Sequence, residues 1–172
     1  MGEIVEEYKD IIDYEDAYQI SNFGNVKNKN TGRILKPTEG KTDKYYYISL
    51  CKDGKQKNTK IHRLVAAYFV ENPENKPYVD HIDNNELNNL FSNLRWATKQ
   101  ENNRNKIIYS NNTSGFKGVV FDKRYNKWQA RTRIDGKSIC FGCFDKIEDA
   151  VEARVKCVNK IFGEFTNNDE KN

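Results

Sequence analysis

The sequence predicts an α+β protein that is built from several small modules. The chain has 172 residues, of which 37% are hydrophobic and 31% are charged, so its hydrophobic cores must be small. Short strand-like runs fill the first third, the middle third has the order strand, loop, strand and helix, and the last third has three strands before one helix. We therefore expect an N-terminal antiparallel β module, a central ββα motif, and a C-terminal three-stranded antiparallel sheet packed on one helix.

The N-terminal module, residues 1–60, is predicted to consist of short strands. Lys44–Lys52 is rich in aromatic and β-branched residues, which favour strands. Asp53 and Gly54 then form a two-residue hairpin signal, and a returning strand follows. His62–Val70 has the composition of a helix and opens the next module.

The central module, residues 61–106, contains a long loop between two strands. A strand that ends at Ile82 leads into the asparagine-rich stretch Asp83–Asn93, and a second short strand reaches Thr98. Thr98 and the glutamate three residues later form a capping box, in which each side chain satisfies a backbone amide at the start of a helix. We therefore expect a helix directly after Thr98 that carries Asn102 in its first turns.

The C-terminal module, residues 116–167, is expected to follow a polar linker at 107–115 and to precede a disordered tail at 168–172. An amphipathic helix follows its strands, with Asp145 as the predicted N-cap and Gly163 as the closing residue. The three predicted strands are Lys117–Phe121, Lys127–Ile134 and Lys137–Phe144.

The second strand of this module alternates strictly between apolar and polar residues. Its apolar face must pack on the helix, so the opposite face presents basic side chains. A charged strand face is usually only solvated surface, but here the positive charges lie on a sheet that can enter the major groove, where arginine binds guanine with two hydrogen bonds. The residues of this module that we predict to contact DNA are Lys117, Lys123, Arg124, Lys127, Gln129, Arg131, Arg133 and Lys137.

Two of the four cysteines, Cys140 and Cys143, have the spacing of a zinc or redox pair. Both lie in the third predicted strand of the C-terminal module, where residues three apart point to opposite faces. The sequence has no second pair of this kind. We therefore expect these cysteines to pack rather than to bind a metal or to form a redox site.

Framework residues of the C-terminal module match a known DNA-binding domain. The matching segments are Gly115–Val119, Lys127–Ala130, Phe141–Phe144, Glu148–Ala150, Ala153 and Phe162–Gly163. Across residues 114–166 the chain thereby resembles the AP2-type domain, in which three strands pack on one helix. The resemblance implies that the sheet reads DNA. The base-contacting positions differ from the family, so the resemblance implies no target sequence.

The central module carries polar residues at a spacing with a known chemical use. They are Asp80, His81, the segment Asn93–Trp96, and Asn102. In this order, across residues 61–105, they resemble the HNH nuclease motif, a ββα fold with one metal ion. The resemblance implies that Asn93 braces the loop and orients His81. His62 lies in a segment that recurs ahead of this motif in the family, and we expect it to be structural or to contact a phosphate.

The chemistry of phosphodiester hydrolysis agrees with these residue types. A neutral imidazole accepts a proton near neutral pH, so His81 is suited to be the general base. The Asp80 carboxylate and the Asn102 amide carbonyl are hard oxygen ligands, which Mg²⁺ or Mn²⁺ prefers together with water and phosphate. Arg95 and Arg104 are predicted to contact the DNA backbone.

The N-terminal module also contains a recognisable pattern. Its matching residues are Tyr14, Glu15, Tyr18, Ile20–Asn22 and Gly24–Val26. Residues 11–26 thereby resemble the NUMOD4 module, which precedes HNH motifs in phage and intron-encoded nucleases. Tyr8 stands where the module usually has tryptophan and Asp13 where it usually has glycine, and we expect these differences to alter packing. The resemblance implies a small sheet that contacts DNA beside the cut site.

Together these features predict a site-specific, metal-dependent DNA endonuclease of the homing type that acts on double-stranded DNA as a monomer. We expect it in the cytoplasm, that of the bacterial host if the chain is phage-encoded, because the sequence shows no signal peptide and no apolar run long enough to span a membrane. One alternative is a DNA-binding regulator without cleavage activity. Another is a nuclease that acts on RNA or without sequence preference. The sequence leaves open whether one strand or both are cut.

Overall fold

The computed structural model describes residues 3–105 and 112–163. The chain forms two compact units, Met1–Asn102 and Asn103–Asn172. Short strands and helices are mixed throughout, which confirms the predicted α+β class. The tail predicted at 168–172 and most of the predicted linker lie outside the described residues. Within the described ranges, no helix is long and apolar enough to cross a bilayer.

The first unit begins with a three-stranded antiparallel sheet. Its strands, in spatial order, are β1 (Tyr8–Asp10), β2 (Tyr18–Ser21) and β3 (Val26–Asn28). Ile20 and Val26 pair across β2 and β3 and are both fully buried. Because directly opposed residues share a face of the sheet, this pair marks the side that packs on the core.

A second antiparallel sheet follows in the same unit. Its strands, in spatial order, are β4 (Thr38–Glu39), β5 (Tyr46–Lys52) and β6 (Lys55–Lys60). Asp53 and Gly54 connect β5 to β6 with φ values of 50° and 72°, the positive values that a type I′ hairpin requires, so the predicted hairpin is confirmed. Helix α1 (Ile61–Phe69) starts directly after β6 and buries Val65 and Ala66.

The central ββα motif is present as predicted. Its elements are β7 (Tyr78–His81), β8 (Leu94–Ala97) and α2 (Lys99–Asn105). Strands β7 and β8 pair in antiparallel register, which places Asp80 opposite Arg95 and His81 opposite Leu94. Val79 and Leu94 join the same buried cluster as Ile20 and Val65, so the motif and the N-terminal sheets share one core.

Gly24, in the turn between β2 and β3, marks a close approach between two parts of this unit. Its φ of 89° favours glycine, and a Cβ at this position would lie 2.9 Å from the Cβ of Asn89. Asn89 belongs to the asparagine-rich loop that connects β7 to β8. The N-terminal sheet therefore rests directly against that loop.

The second unit contains the predicted sheet and helix. Its elements are β9 (Val119–Asp122), β10 (Lys127–Ile134), β11 (Lys137–Phe144) and α3 (Ile147–Phe162), with β10 in the centre of the sheet. Val119, Ala130 and Ala150 form the core between sheet and helix. The predicted N-cap at Asp145 is wrong, because the cap is Lys146, which makes no side-chain capping bond. Gly163 ends the helix, as predicted.

A β-bulge in β11 overturns the prediction for the two cysteines. The register shifts after Ala130, so Gln129 pairs with Cys143 while Arg131 pairs with Cys140. Gln129 and Arg131 lie two residues apart on one face of β10, and directly opposed residues share a face. Both thiols therefore lie on the same face, and both are exposed rather than packed. The extra residue of a bulge breaks the alternation on which the prediction rested.

Candidate active site

Asp80 and His81 are the last two residues of β7, and both are buried, at 4% and 5% exposure. A buried charge or imidazole lowers stability unless it is compensated, so polar residues are rarely enclosed in this way without partners. Their position at a strand end, ahead of a long loop, agrees with the sequence prediction.

The Asp80 carboxylate is paired with Arg95, its neighbour across the two strands. Oδ2 of Asp80 accepts a hydrogen bond from Nε of Arg95 at 2.8 Å and lies 2.8 Å from Nη2. A buried carboxylate needs such a counter-charge. The side chain that we predicted to contact DNA therefore lies against Asp80, and 12% of it is exposed.

The imidazole of His81 lies between two other rings. Tyr45 stacks on it with a centroid distance of 5.9 Å and an interplanar angle of 23°. His62 meets it edge to face at 5.1 Å and 70°. Burial lowers the pKa of His81, while the neighbouring Asn89 side chain and Asp83 carboxylate act in the opposite direction. The ring is therefore neutral at neutral pH and able to accept a proton.

His62 is the second buried histidine of the site. Burial, together with the charge of His81, lowers the pKa of His62 to about 3. Its ring lies 4.5 Å from that of Tyr45. The family resemblance singled out His62, because the segment around it recurs ahead of the HNH motif. No pattern in the sequence indicated that Tyr45 and Asn89 lie beside His81.

Asn93 braces the loop between β7 and β8. Its Nδ2 donates to Oδ1 of Asp83 at 2.8 Å and to the backbone oxygen of Asn88 at 2.9 Å, while its Oδ1 accepts from the Asp83 amide at 3.0 Å. Its backbone oxygen also accepts from the amide of Ile82, the residue after His81, at 2.9 Å. These bonds fix the backbone on which His81 is held, whereas Asn89 is the asparagine beside the imidazole itself.

Asn102 lies in the first turns of α2, where the sequence predicted it. The capping box is formed, since the Glu101 amide donates to Oγ1 of Thr98 at 3.2 Å and the Thr98 amide donates to Oε2 of Glu101 at 2.6 Å. The Asn102 amide donates to the Thr98 carbonyl at 3.0 Å and thereby continues the helix. The side chain is half-buried.

The donor chemistry of Asp80 and Asn102 fits a hard divalent cation. A carboxylate oxygen and an amide carbonyl oxygen are the ligand types that Mg²⁺ and Mn²⁺ prefer. Among the described residues, no group of three or more histidine, cysteine, aspartate or glutamate side chains is arranged to hold an ion. An ion held by Asp80 and Asn102 would complete its shell with water and a phosphate of the nucleic acid.

The predicted DNA-contacting residues of the second unit differ in their surroundings. The exposed ones are Lys123, Arg124, Arg131, Arg133 and Lys137. Gln129 donates to Oδ2 of Asp122 at 2.9 Å, and Lys127 lies 3.1 Å from Asp145. Lys117 is half-buried and donates to the backbone oxygen of Arg104, whose guanidinium lies 4.0 Å from the ring centroid of Phe162.

Comparison with known proteins identifies two parts of the chain. Residues 6–51 match the NUMOD4 motif, and residues 59–104 match the HNH endonuclease model. The DNA endonuclease I-HmuI of Bacillus phage SP01 is 46% identical over 101 residues, which cover 59% of this chain and 58% of that protein. The uncharacterized HNH endonuclease L245 of Acanthamoeba polyphaga mimivirus is 36% identical over 115 residues, 67% of this chain and 34% of that protein. The matches thus span 58% and 34% of the length of these two relatives.

A solved structure extends the comparison to most of the chain. It describes DNA binding and cleavage by the HNH homing endonuclease I-HmuI, with 34% identity and a TM-score of 0.54. The match covers 91% of this chain and 83% of that one. The AP2-type domain that we predicted for the C-terminal module stays a prediction. By its motifs, its sequence identity and its fold, the chain belongs to the HNH homing endonucleases that carry a NUMOD4 motif.

Proposed function

We propose that this protein is a site-specific, metal-dependent endonuclease that hydrolyses a phosphodiester bond of double-stranded DNA and acts as a monomer. The observation that carries the proposal is the neutral, buried imidazole of His81, which directly follows Asp80 at the end of β7. The relative I-HmuI, whose structure describes DNA binding and cleavage, supports the same reaction.

His81 is assigned the role of general base. A ring nitrogen of its neutral imidazole accepts the proton from the attacking water. The water oxygen then forms a bond to phosphorus, the bond from phosphorus to the 3′ oxygen breaks, and that oxygen leaves with the electron pair. Asp80 and Asn102 would hold a divalent cation, Mg²⁺ or Mn²⁺, which would supply positive charge to stabilise the negative charge on the phosphate and on the leaving oxygen.

The remaining residues of the site hold these groups in place. Asp80 and Asn102 are assigned as protein ligands of the cation. Arg95 fixes one oxygen of the Asp80 carboxylate through its two contacts of 2.8 Å and thereby orients the carboxylate. Asn93 keeps the loop after His81 in one conformation through its bonds to Asp83 and Asn88.

DNA binding is assigned to surfaces on both units. The exposed arginines and lysines of the β9–β11 sheet supply positive charge for phosphate contacts or for base edges in a groove. The N-terminal sheet is assigned to DNA beside the cut site. Binding through phosphates makes the affinity depend strongly on salt concentration.

A cleavage assay tests the proposal. Purified protein is incubated with supercoiled DNA that carries phage-derived sequences, in Mg²⁺, Mn²⁺ or EDTA, beside a His81→Ala variant. We expect discrete nicked or linear products that need the metal and are absent with the variant. DNA binding without cleavage in either metal, with no difference between the two proteins, would instead favour a DNA-binding regulator.

A further inference from the structure

The side chains of Tyr45, His62 and His81 form a cluster of three rings in mutual contact. The centroid distances are 4.5 Å between Tyr45 and His62, 5.1 Å between the two histidines, and 5.9 Å between Tyr45 and His81. The two histidines meet edge to face, whereas Tyr45 stacks on His81 at 23°. Edge-to-face and offset-stacked contacts are the preferred geometries of aromatic pairs. His81 therefore contacts one neighbouring ring in a T-shaped geometry and another in a stacked geometry.

His62 is buried although its polar imidazole lowers the stability of the fold there. It is 4% exposed, and its Nδ1 is buried with no hydrogen-bond partner among the described residues. A buried nitrogen without a partner destabilises a fold, and an apolar side chain at this position would avoid that loss. Residues that oppose stability in this way are found mainly where function requires them.

The residues of the cluster are anchored by contacts with other parts of the first unit. His62 is the second residue of α1, which is anchored by the buried side chains of Ile61 and Val65. The ammonium of Lys60 lies 4.1 Å from the ring centroid of Tyr45 and is itself held 2.7 Å from Oδ2 of Asp43. The rings beside His81 are thus fixed by a helix and by a salt-bridged strand end.

We propose that His62, supported by Tyr45, is a positioning residue that holds the ring of His81 in the one orientation that directs its proton-accepting nitrogen at the nucleophilic water. The proposal rests on the function proposed above and assigns no proton transfer to His62. A pKa of about 3 agrees with that restriction, since an imidazole of such low basicity is a poor proton acceptor at neutral pH. Side chains that orient metal ligands contribute about 10- to 100-fold to metal affinity or activity, and we expect a similar range for a residue that orients the general base.

The restriction of the His81 ring can be tested without any cleavage, because a ring held in one environment keeps one tautomer and gives narrow signals. The chain contains two histidines, so after removal of His62 every imidazole signal in a ¹⁵N NMR spectrum belongs to His81. In the wild-type protein we expect one dominant tautomer of His81 with narrow signals. In His62→Ala we expect a mixture of tautomers or broadened signals, whereas His62→Phe retains a ring edge and should keep the single tautomer.

Two controls separate positioning from stability. Val65→Ala creates a cavity in the same helix without removing a ring from the cluster, so it should lower the melting temperature and leave the His81 signals unchanged. DNA affinity in EDTA reports on an intact binding surface. If His62→Ala does not fold, the comparison of wild type with His62→Phe and Tyr45→Leu still tests the contact, because we expect Tyr45→Leu to loosen His81 in part.

Single-turnover cleavage supplies the second measurement. We expect the rate at saturating protein to fall about 10- to 100-fold in His62→Ala and by less than about fivefold in His62→Phe, with unchanged DNA affinity. His81 signals and cleavage rates that stay at wild-type values in His62→Ala would overturn the proposal. So would a His62→Phe variant that behaves like His62→Ala, because a ring nitrogen would then matter instead of the ring contact. A change of tautomer in a protein that cuts no DNA would contradict the proposed function but not the positioning.

Discussion

The guanidinium of Arg95 contacts the Asp80 carboxylate twice, with both Nε and Nη2 lying 2.8 Å from Oδ2. The two residues are directly opposed across β7 and β8, so the pairing of the strands itself brings the charges together. Arg95 is thereby the counter-ion of the residue that we assign to the metal.

Replacing Arg95 should therefore destabilise the first unit. In Arg95→Gln the buried carboxylate of Asp80 loses its counter-charge, and we expect the free energy of unfolding in EDTA to fall by about 3 kcal/mol. The measurement is urea unfolding. Arg63→Gln removes an exposed arginine from the same unit and should change the value by less than about 0.5 kcal/mol. An Arg95→Gln variant as stable as this control would show that the pair contributes nothing.

The low pKa of the buried His62 imidazole predicts a pH dependence of stability. The pKa of folded His62, about 3, lies below its ordinary value of 6.5, so the unfolded chain takes up the proton first as the pH falls. The contribution of this residue is complete above its ordinary pKa and is lost as the pH falls towards the folded value. We expect the free energy of unfolding to be about 2 kcal/mol lower at about pH 5 than at neutral pH, and His62→Phe to remove most of this difference. Equal pH dependences in the two proteins would contradict the assignment.

The basic face of the C-terminal sheet should set DNA affinity. We expect the double variant Arg131→Ala with Arg133→Ala to weaken binding in EDTA. The slope of the logarithm of the binding constant against the logarithm of the salt concentration should become shallower by about one to two. The matched control, Lys156→Ala with Lys160→Ala, removes the same charge from exposed positions of α3 and should change affinity less. Fluorescence anisotropy at several salt concentrations measures both. Equal losses in the two double variants would mean that net charge matters and the sheet face does not.

The β-bulge in β11 predicts the reactivity of the cysteines. Cys140 and Cys143 are exposed on one face. Partial desolvation, followed by the neighbouring Cys140 thiol, raises the pKa of the Cys143 thiol. Both should react with a thiol reagent in the native protein, and a trivalent arsenical, which needs two adjacent thiols, should bind wild type but not Cys143→Ser. If only one of the two thiols reacts in the native state, the side chains of β11 alternate between the two faces without a bulge.

The start of helix α2 and the pairing of β5 with β6 could be predicted because a strong local signal marks each of them. The capping box at Thr98 and Glu101 fixes the start of α2, and the Asp53-Gly54 hairpin fixes the pairing of β5 with β6. Such signals depend on residues that are close in sequence. They also explain why the class of fold was correct from the sequence alone.

The surroundings of His81 could not be predicted in the same way. Tyr45 precedes His81 by 36 residues in the sequence, and its contact with His81 depends on how the second sheet packs on α1. The salt bridge from Arg95 to Asp80 depends on strand register, which polar residues beside a long loop do not reveal. The bulge at Cys140 adds one residue that no alternation pattern contains.

The central claim is that His81 accepts the proton in a metal-dependent cleavage, and chemical rescue tests it most directly. The His81→Ala variant is mixed with its DNA target under single-turnover conditions in Mn²⁺, with and without free imidazole, while DNA affinity is measured in EDTA. We predict that the variant binds DNA like the wild type and cuts at least about 100-fold more slowly, and that imidazole restores part of the rate. Cleavage by the variant at a rate close to that of the wild type would contradict the assignment of His81 as the general base.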